Sequence, residues 1–225
     1  MKVKVCGITR KEDLLAMNHF ATPVDFVGFV LYPHSKRYAG ASLKELARTT
    51  ICANTSRVGV FVNEEAEQII KISKEHVLDF VQLHGDESPY YCHQARASAK
   101  VIKAFNVDES FDFKQLQAYD AVCDYFLFDA KGKLPGGNNL SYEWNILQRY
   151  KMDKPFFLSG GINPGHIEQL QSFSHPSFFA IDINSGFETN PGVKDTKVIG
   201  AFLKSLKNKF TVIASEERAR QSPDE

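Results

Sequence analysis

The feature that most constrains the fold of this chain is a strand-then-helix unit that recurs eight times. Each unit opens with a short run of β-branched or aromatic residues and continues into a segment with helical apolar periodicity. Most of the runs are continuously apolar, which is typical of parallel strands that are covered by helices. The eight runs are Lys2 to Cys6, Phe26 to Leu31, Val58 to Val62, Phe80 to Leu83, Val101 to Phe105, Tyr125 to Phe128, Pro155 to Leu158 and Phe178 to Ile183.

Eight such units within residues 1–207 predict a single α/β domain, a (β/α)₈ TIM barrel. A doubly wound open sheet has the same alternation of strands and helices and is the structural alternative. Residues 208–225 are mostly charged and polar, so we expect them to form a frayed C-terminal extension outside the barrel.

Helix starts are marked by capping signals. Thr9 and Ser42 each precede a glutamate by three residues, which is the spacing of a capping box. Ser88 and Asn163 each precede a proline, which is favoured at the first helical position. These four signals predict where helices begin after their strands.

Composition argues against several classes of function. The 27 basic residues equal the 27 acidic ones, and no basic stripe suited to nucleic acid occurs. No apolar run approaches the roughly 18 residues that a membrane span needs. The four cysteines are far apart, which argues against a zinc site or a disulfide framework and fits reduced thiols. Because a strand begins at once, we expect no signal peptide and a cytoplasmic protein.

Two of the runs end in side chains that can transfer protons. Cys6 ends the first run, and Asp129 directly follows the sixth. The carboxyl ends of barrel strands meet at one face, where barrel enzymes carry their active sites. A thiol and a carboxyl group at this face are a candidate base and acid. The competing interpretation of Cys6 is a buried, inert cysteine.

Other strand ends suggest what the site would bind. Arg37 could hold a carboxylate with its planar guanidinium, although a solvated basic turn is an equal alternative. His84 follows the fourth run, where a structural histidine is the simpler interpretation. Gly160-Gly161 and Ser185-Gly186 follow runs seven and eight, the usual phosphate site of barrels. The set predicts a substrate with a phosphate and a carboxylate. Because metal-ligand spacing and nucleotide fingerprints are missing from the sequence, we expect no metal or cofactor.

Ordered segments of the chain match a known family. They are Lys4 to Thr9, Gly28 to Val30, Ser35 to Tyr38, Val58 to Asn63, Val81 to Gly85, Phe128-Asp129, Leu158 to Pro164 and Asp182 to Gly186. Together they resemble the phosphoribosylanthranilate isomerases of tryptophan biosynthesis over residues 1–207. The resemblance implies a cofactor-free barrel that converts N-(5-phosphoribosyl)anthranilate to 1-(2-carboxyphenylamino)-1-deoxyribulose 5-phosphate by an Amadori rearrangement.

The resemblance also implies a role for each candidate residue. The roles are general base for Cys6, general acid for Asp129, anthranilate carboxylate partner for Arg37, sugar contact for Asp182, and phosphate binding for the Gly160-Gly161 and Ser185-Gly186 turns. It implies a small phosphorylated substrate and leaves open a monomer, a homodimer and an association with other tryptophan-pathway enzymes.

The chain departs from the family pattern at two asparagines. Asn139, in the loop Gly136 to Trp144, stands where relatives carry glycine, and Asn184 stands where many carry serine. Because asparagine tolerates left-handed backbone, the first loop can keep its shape.

Three competing functions stay open. A histidine-pathway sugar isomerase would carry aspartate in place of Cys6. Indole-glycerol-phosphate synthase needs a catalytic lysine and glutamate set that the sequence does not match. A catalytically silent barrel could bind a phosphorylated metabolite as a sensor or scaffold, although the retention of Cys6 and Asp129 argues against this.

Overall fold

The computed structural model describes residues 1–130 and 144–207. Eight parallel strands form a closed barrel in chain order, and the last strand pairs with the first. The TIM-barrel prediction is therefore confirmed, since an open sheet would leave these two strands unpaired. The strands are β1 (Lys2–Val5), β2 (Phe26–Val30), β3 (Ser56–Phe61), β4 (Phe80–Leu83), β5 (Lys100–Val107), β6 (Tyr125–Ala130), β7 (Phe156–Ser159) and β8 (Phe178–Ile183).

Helical segments connect the strands, and a short antiparallel hairpin follows β8. None of the helices in the described part of the chain is long and apolar enough to cross a membrane. The α-helices are α1 (Lys11–Met17), α2 (Leu43–Arg48), α3 (Ala66–Glu75), α4 (Pro89–Ala95), α5 (Ile167–Ser172) and α6 (196–207). Short 3₁₀ helices cover Phe113–Tyr119, Asn145–Arg149, Pro164–His166 and Ser185–Phe187, and the hairpin consists of β9 (Glu188–Asn190) and β10 (Val193–Lys194).

Two sequence predictions concern residues outside the described ranges. These are the conformation of the loop around Asn139 and the C-terminal extension over 208–225.

The capping predictions have mixed outcomes. Ser88 accepts the backbone N–H three residues on, and Asn163 forms a reciprocal capping box, so these two predictions are confirmed. At Ser42 the helix begins where predicted, since α2 starts at Leu43, but the predicted capping box does not form. The Thr9 prediction is wrong, because α1 begins at Lys11 with Arg10 as its N-cap. The Thr9 hydroxyl instead donates to the carbonyl of Gly192 in the β9–β10 turn, at 2.7 Å. It therefore anchors the hairpin to the loop between β1 and α1 rather than opening α1.

Apolar side chains on the two faces of the strands form separate cores. The larger core lies between the strands and the helices. A smaller cluster of eight buried residues fills the barrel interior, with edge-on contacts from the Phe26 ring to those of Phe80 and Phe157 at 5.4 and 5.2 Å. Polar residues occur later along the same inner faces, such as Gln82 after Phe80. The barrel is thus packed near its amino end and polar near its carboxyl end.

Aspartates at the amino end of the barrel fix the alignment of neighbouring strands. The residue directly before each of the strands β2, β4 and β6 is an aspartate, namely Asp25, Asp79 and Asp124. Each carboxylate accepts the backbone N–H of the second residue of the preceding strand, at 2.7 to 2.9 Å. The N–H of each aspartate donates to the carbonyl of that same residue. This reciprocal pair sets the register at three of the strand junctions.

Replacing Asp124 by alanine should lower the free energy of unfolding by about 1–3 kcal/mol, because the N–H of buried Val101 loses its acceptor. Urea unfolding followed by circular dichroism measures the change. Asp120→Ala is the control, since its exposed carboxylate pairs with Lys154 at 3.3 Å and accepts no backbone N–H in the described part of the chain; an exposed ion pair is worth about 0–1 kcal/mol. Equal unfolding free energies for Asp124→Ala and wild type would contradict the register function.

Candidate active site

A cavity of about 340 Å³ opens at the carboxyl end of the barrel. Its lining includes six of the candidate residues, namely Cys6, Asp129, Gly160, Gly161, Asp182 and Ser185. Arg37 and Gly186 lie beside it, on the loop after β2 and the turn after β8. Among the described residues, no group of three or more His, Cys, Asp and Glu side chains could hold a metal ion. The barrel therefore brings the predicted proton-transfer and binding groups to one opening.

Cys6 is buried at the end of β1, directly beyond Lys4 on the same face of the strand. Burial raises the pKa of its thiol above the ordinary value, and the nearby Lys4 ammonium only partly offsets this effect. Gly28 on the neighbouring strand leaves space for the thiol, since a Cβ there would lie 2.8 Å from Sγ. The thiol is therefore held mostly protonated in the free protein.

Lys4 and Asp182 form a buried ion pair beneath the cavity, with Nζ 2.8 Å from Oδ2. Burial disfavours the Lys4 charge, but Asp182 and Cys6 outweigh it and leave the pKa of Lys4 raised. Burial also raises the pKa of Asp182, against the effect of Lys4. The second carboxylate oxygen, Oδ1, is buried and has no hydrogen-bond partner within the described part of the chain. That atom can accept a hydrogen bond from a bound molecule.

His84 lines the cavity, contrary to its simpler interpretation as a structural histidine. The Gln82 amide Nε2 lies 2.9 Å from its Nδ1 and donates to it. The ring proton is then on Nε2, which lies 3.6 Å from Oδ2 of Asp129. The His84 N–H therefore faces the candidate acid. Its position directly after β4, like that of Asp129 near the end of β6, is the signal that could have identified it.

Arg37 is fixed by an ion pair, so the alternative of a solvated basic turn is wrong. Its Nε lies 2.9 Å from both carboxylate oxygens of Glu188, and its Nη2 lies 2.6 Å from Oε2. This interaction raises the pKa of Arg37. Glu188 also accepts from the buried Lys194 ammonium at 2.7 Å. Sequence reasoning missed Glu188 and Lys194, which belong to the unpredicted hairpin.

The glycine turns after β7 and β8 have different steric requirements. Gly160 has a φ of +106°, and a Cβ there would lie 2.2 Å from the carbonyl oxygen of Ala130. Gly161 has a φ of +65°, with no atom within 4 Å of a Cβ position. At Gly186 a Cβ would lie 2.3 Å from the carbonyl oxygen of Ile162. Glycine at positions 160 and 186 therefore allows the two loops to pack closely beside the cavity.

The model of the family described as N-(5'-phosphoribosyl)anthranilate (PRA) isomerase matches residues 3–205. The chain belongs to this family. The N-(5'-phosphoribosyl)anthranilate isomerase of Phocaeicola vulgatus is 39% identical over 211 residues, covering 93% of this chain and 100% of the relative. That of Parabacteroides distasonis is 36% identical, covering 92% of this chain and 93% of the relative.

Solved structures of phosphoribosylanthranilate isomerases share the fold. The Thermotoga maritima structure has a TM-score of 0.79 and 35% identity, covering 92% of this chain and 98% of that one. Another, in complex with reduced 1-(o-carboxyphenylamino)-1-deoxyribulose 5-phosphate, has a TM-score of 0.74, 33% identity and the same coverage. The T. maritima isomerase is described as dimeric. The chain is therefore an isomerase of tryptophan biosynthesis, and the histidine-pathway and indole-glycerol-phosphate synthase alternatives are excluded.

Alanine at the two glycines of the β7 turn should destabilise this isomerase to different degrees. Gly161→Ala should lower the unfolding free energy by about 1–2 kcal/mol, the cost of left-handed backbone for a residue with a Cβ. Gly160→Ala should cost about twice that or more, because the added methyl also displaces the Ala130 carbonyl. Urea unfolding of both variants measures the difference. A cost for Gly161→Ala equal to or above that for Gly160→Ala would contradict the steric argument.

Proposed function

We propose that this isomerase carries out the Amadori rearrangement of N-(5-phosphoribosyl)anthranilate by general acid–base catalysis. The observation that carries the proposal is the position of Cys6 and Asp129 on the lining of one cavity. They come from β1 and β6, which are not neighbours in the barrel, so a substrate can lie between them. A solved relative that holds the reduced product analogue supports the substrate class.

Asp129 is the general acid that opens the sugar ring. It donates a proton to the furanose ring oxygen, the bond from that oxygen to the first sugar carbon breaks, and a protonated Schiff base forms. The carboxylate left on Asp129 faces the Nε2–H of His84, 3.6 Å away. His84 thus stabilises the negative charge that appears when the proton leaves.

Cys6 is the general base for the second step. Its thiolate removes the proton from the second sugar carbon, which gives an enolamine that tautomerises to the aminoketone. The iminium of the opened substrate brings a positive charge close to the thiol, in addition to Lys4 and Lys194, which already favour the thiolate. Substrate binding therefore lowers the pKa that burial raises in the free protein.

The remaining candidates bind the ends and the middle of the substrate. The Gly160-Gly161 and Ser185-Gly186 turns hold the phosphate with backbone N–H groups. Arg37 binds the anthranilate carboxylate with its guanidinium. The unpartnered Oδ1 of Asp182 accepts a hydrogen bond from a sugar hydroxyl. The substrate thereby spans the cavity, with its reacting carbons between the acid and the base.

Replacing Cys6 by serine should reduce kcat by on the order of 10² or more, the usual effect of losing a general base. The fluorescence decay of N-(5-phosphoribosyl)anthranilate measures turnover. Cys52→Ser is the matched control, because it removes a thiol remote from the cavity lining. Wild-type turnover by Cys6→Ser would exclude the thiol from the mechanism.

The protonation of Cys6 can be followed by its alkylation. Because burial raises the pKa of the free Cys6 thiol, its thiolate fraction should keep increasing with pH beyond the ordinary pKa of a thiol. The rate of iodoacetamide modification of the Cys6 peptide, measured by mass spectrometry, should therefore keep rising over this range, and the serine variant should show no modification there. A rate that levels off below the ordinary thiol pKa would contradict the raised pKa.

Replacing Asp129 by asparagine should abolish most turnover, because the amide keeps the shape of the side chain but cannot donate an acidic proton. The reduced product analogue is already ring-opened, so it should bind this variant about as well as wild type in calorimetric titration. If binding is lost with activity, Asp129 organises the cavity instead of acting as the acid. Turnover near the wild-type rate would transfer the role to another residue, with Asp182 the first to test.

A further inference from the structure

Glu188 is almost wholly buried beside the cavity, and its carboxylate is saturated by hydrogen bonds from the protein itself. The side chain is 4% exposed. It accepts from Arg37 Nε and Nη2 at 2.9 and 2.6 Å, from Lys194 Nζ at 2.7 Å and from the Gly192 N–H at 3.2 Å. A carboxylate with four such donors has little capacity to bind a ligand itself, so its effect on a ligand must pass through its partners.

The charges of this cluster leave one net positive charge. Arg37 and Lys194 supply two cations and Glu188 one anion. The bonds from both cations outweigh burial and keep the pKa of Glu188 below its ordinary value, so the carboxylate is ionised. Lys194 is completely buried and is also bound to Asn184 Oδ1 at 2.8 Å, whereas the Arg37 side chain is 23% exposed. Only Arg37 can offer the remaining charge to a ligand.

The contacts define which part of the Arg37 guanidinium is free. Glu188 occupies the side of the fork that carries Nε and one hydrogen of Nη2. The end of the fork, formed by Nη1 and the other hydrogen of Nη2, has no hydrogen-bond partner in the described part of the chain. That end presents two parallel N–H groups, the geometry that binds a carboxylate through both oxygens.

We propose that Glu188 is a positioning residue that holds Arg37 side-on and thereby makes the enzyme selective for a substrate with an aromatic carboxylate. This inference rests on the proposed function, in which Arg37 binds that carboxylate. Fixing the long arginine side chain before the substrate arrives removes the entropy cost of ordering it on binding. Without Glu188, the guanidinium loses both of the hydrogen bonds that hold it side-on, and the repulsion between Arg37 and Lys194 is no longer offset.

The test compares two ring-opened ligands that differ only in the carboxylate: the reduced product analogue and its phenylamino counterpart without that group. Calorimetric titration gives the dissociation constants of both ligands, and their ratio is the preference of each variant for the carboxylated ligand. Glu188→Gln should reduce this preference about tenfold or more and raise KM similarly, while kcat changes less than about threefold. Glu188→Asp keeps the charge and should recover part of the preference. Unchanged preference in Glu188→Gln would overturn the inference.

Arg37→Lys separates this inference from the proposed function. If Arg37→Lys retains the preference, the proposed carboxylate role of Arg37 is wrong. If Arg37→Lys loses it and Glu188→Gln retains it, only the positioning inference is wrong. In the double variant Arg37→Lys/Glu188→Gln, the preference should fall no further than in Arg37→Lys, and an additional loss would mean that Glu188 acts independently of Arg37.

Two further variants test whether a general loss of folding, rather than the loss of Glu188 itself, changes the preference. Glu188→Gln/Lys194→Met removes the buried ammonium that Glu188→Gln would leave unpaired, and it should show the same reduced preference as Glu188→Gln. Asp124→Asn weakens an arginine–carboxylate contact at the opposite end of the barrel and should leave the preference unchanged. A wild-type preference in the first variant, or a reduced one in Asp124→Asn, would overturn the specific role of Glu188.

Discussion

The buried ion pair between Lys4 and Asp182 is the interaction on which the site depends. The two residues are register partners on β1 and β8, the strands whose pairing closes the barrel. Removing one partner of a buried pair typically costs about 3–5 kcal/mol, because the other charge is left uncompensated. Cys6 lies two residues beyond Lys4 on the same face, so the pair that joins the strands also determines the charge beside the thiol.

Other polar groups around the cavity are also oriented by neighbouring side chains before a ligand binds. Arg37 is bound to Glu188, and the His84 N–H faces Asp129. Each pairing leaves a specific atom available, such as Oδ1 of Asp182 or the end of the Arg37 fork. Because these groups are already oriented, they need little reorganisation as charge moves during the reaction. The protein therefore provides a largely preorganised set of donors and acceptors.

The barrel could be predicted from the sequence because each of the eight runs is apolar enough to form a buried strand. The predicted bounds of β4 and β8 coincide with the observed ones. The role of Lys4 could not be predicted, because the alternation of valines and lysines in β1 is typical of a strand with one solvated face. In a closed barrel both faces are buried, and the lysine faces the interior. Glu188 was missed because its hairpin strands, of three and two residues, are too short for a period-2 pattern.

Two of the missed residues, Lys4 and Glu188, depend on barrel closure for their contacts. Lys4 and Asp182 are 178 residues apart in the chain, and Arg37 and Glu188 are 151 apart. Local patterns cannot report such pairs, because each partner alone is a charged residue with no visible reason to be buried. The same separation couples function to folding, because detachment of β8 and the hairpin would remove the partners of Lys4 and Arg37 together. An intermediate with six or seven strands would therefore hold the acid Asp129 but neither a paired Lys4 beside Cys6 nor an oriented Arg37, so the site forms only when the barrel closes.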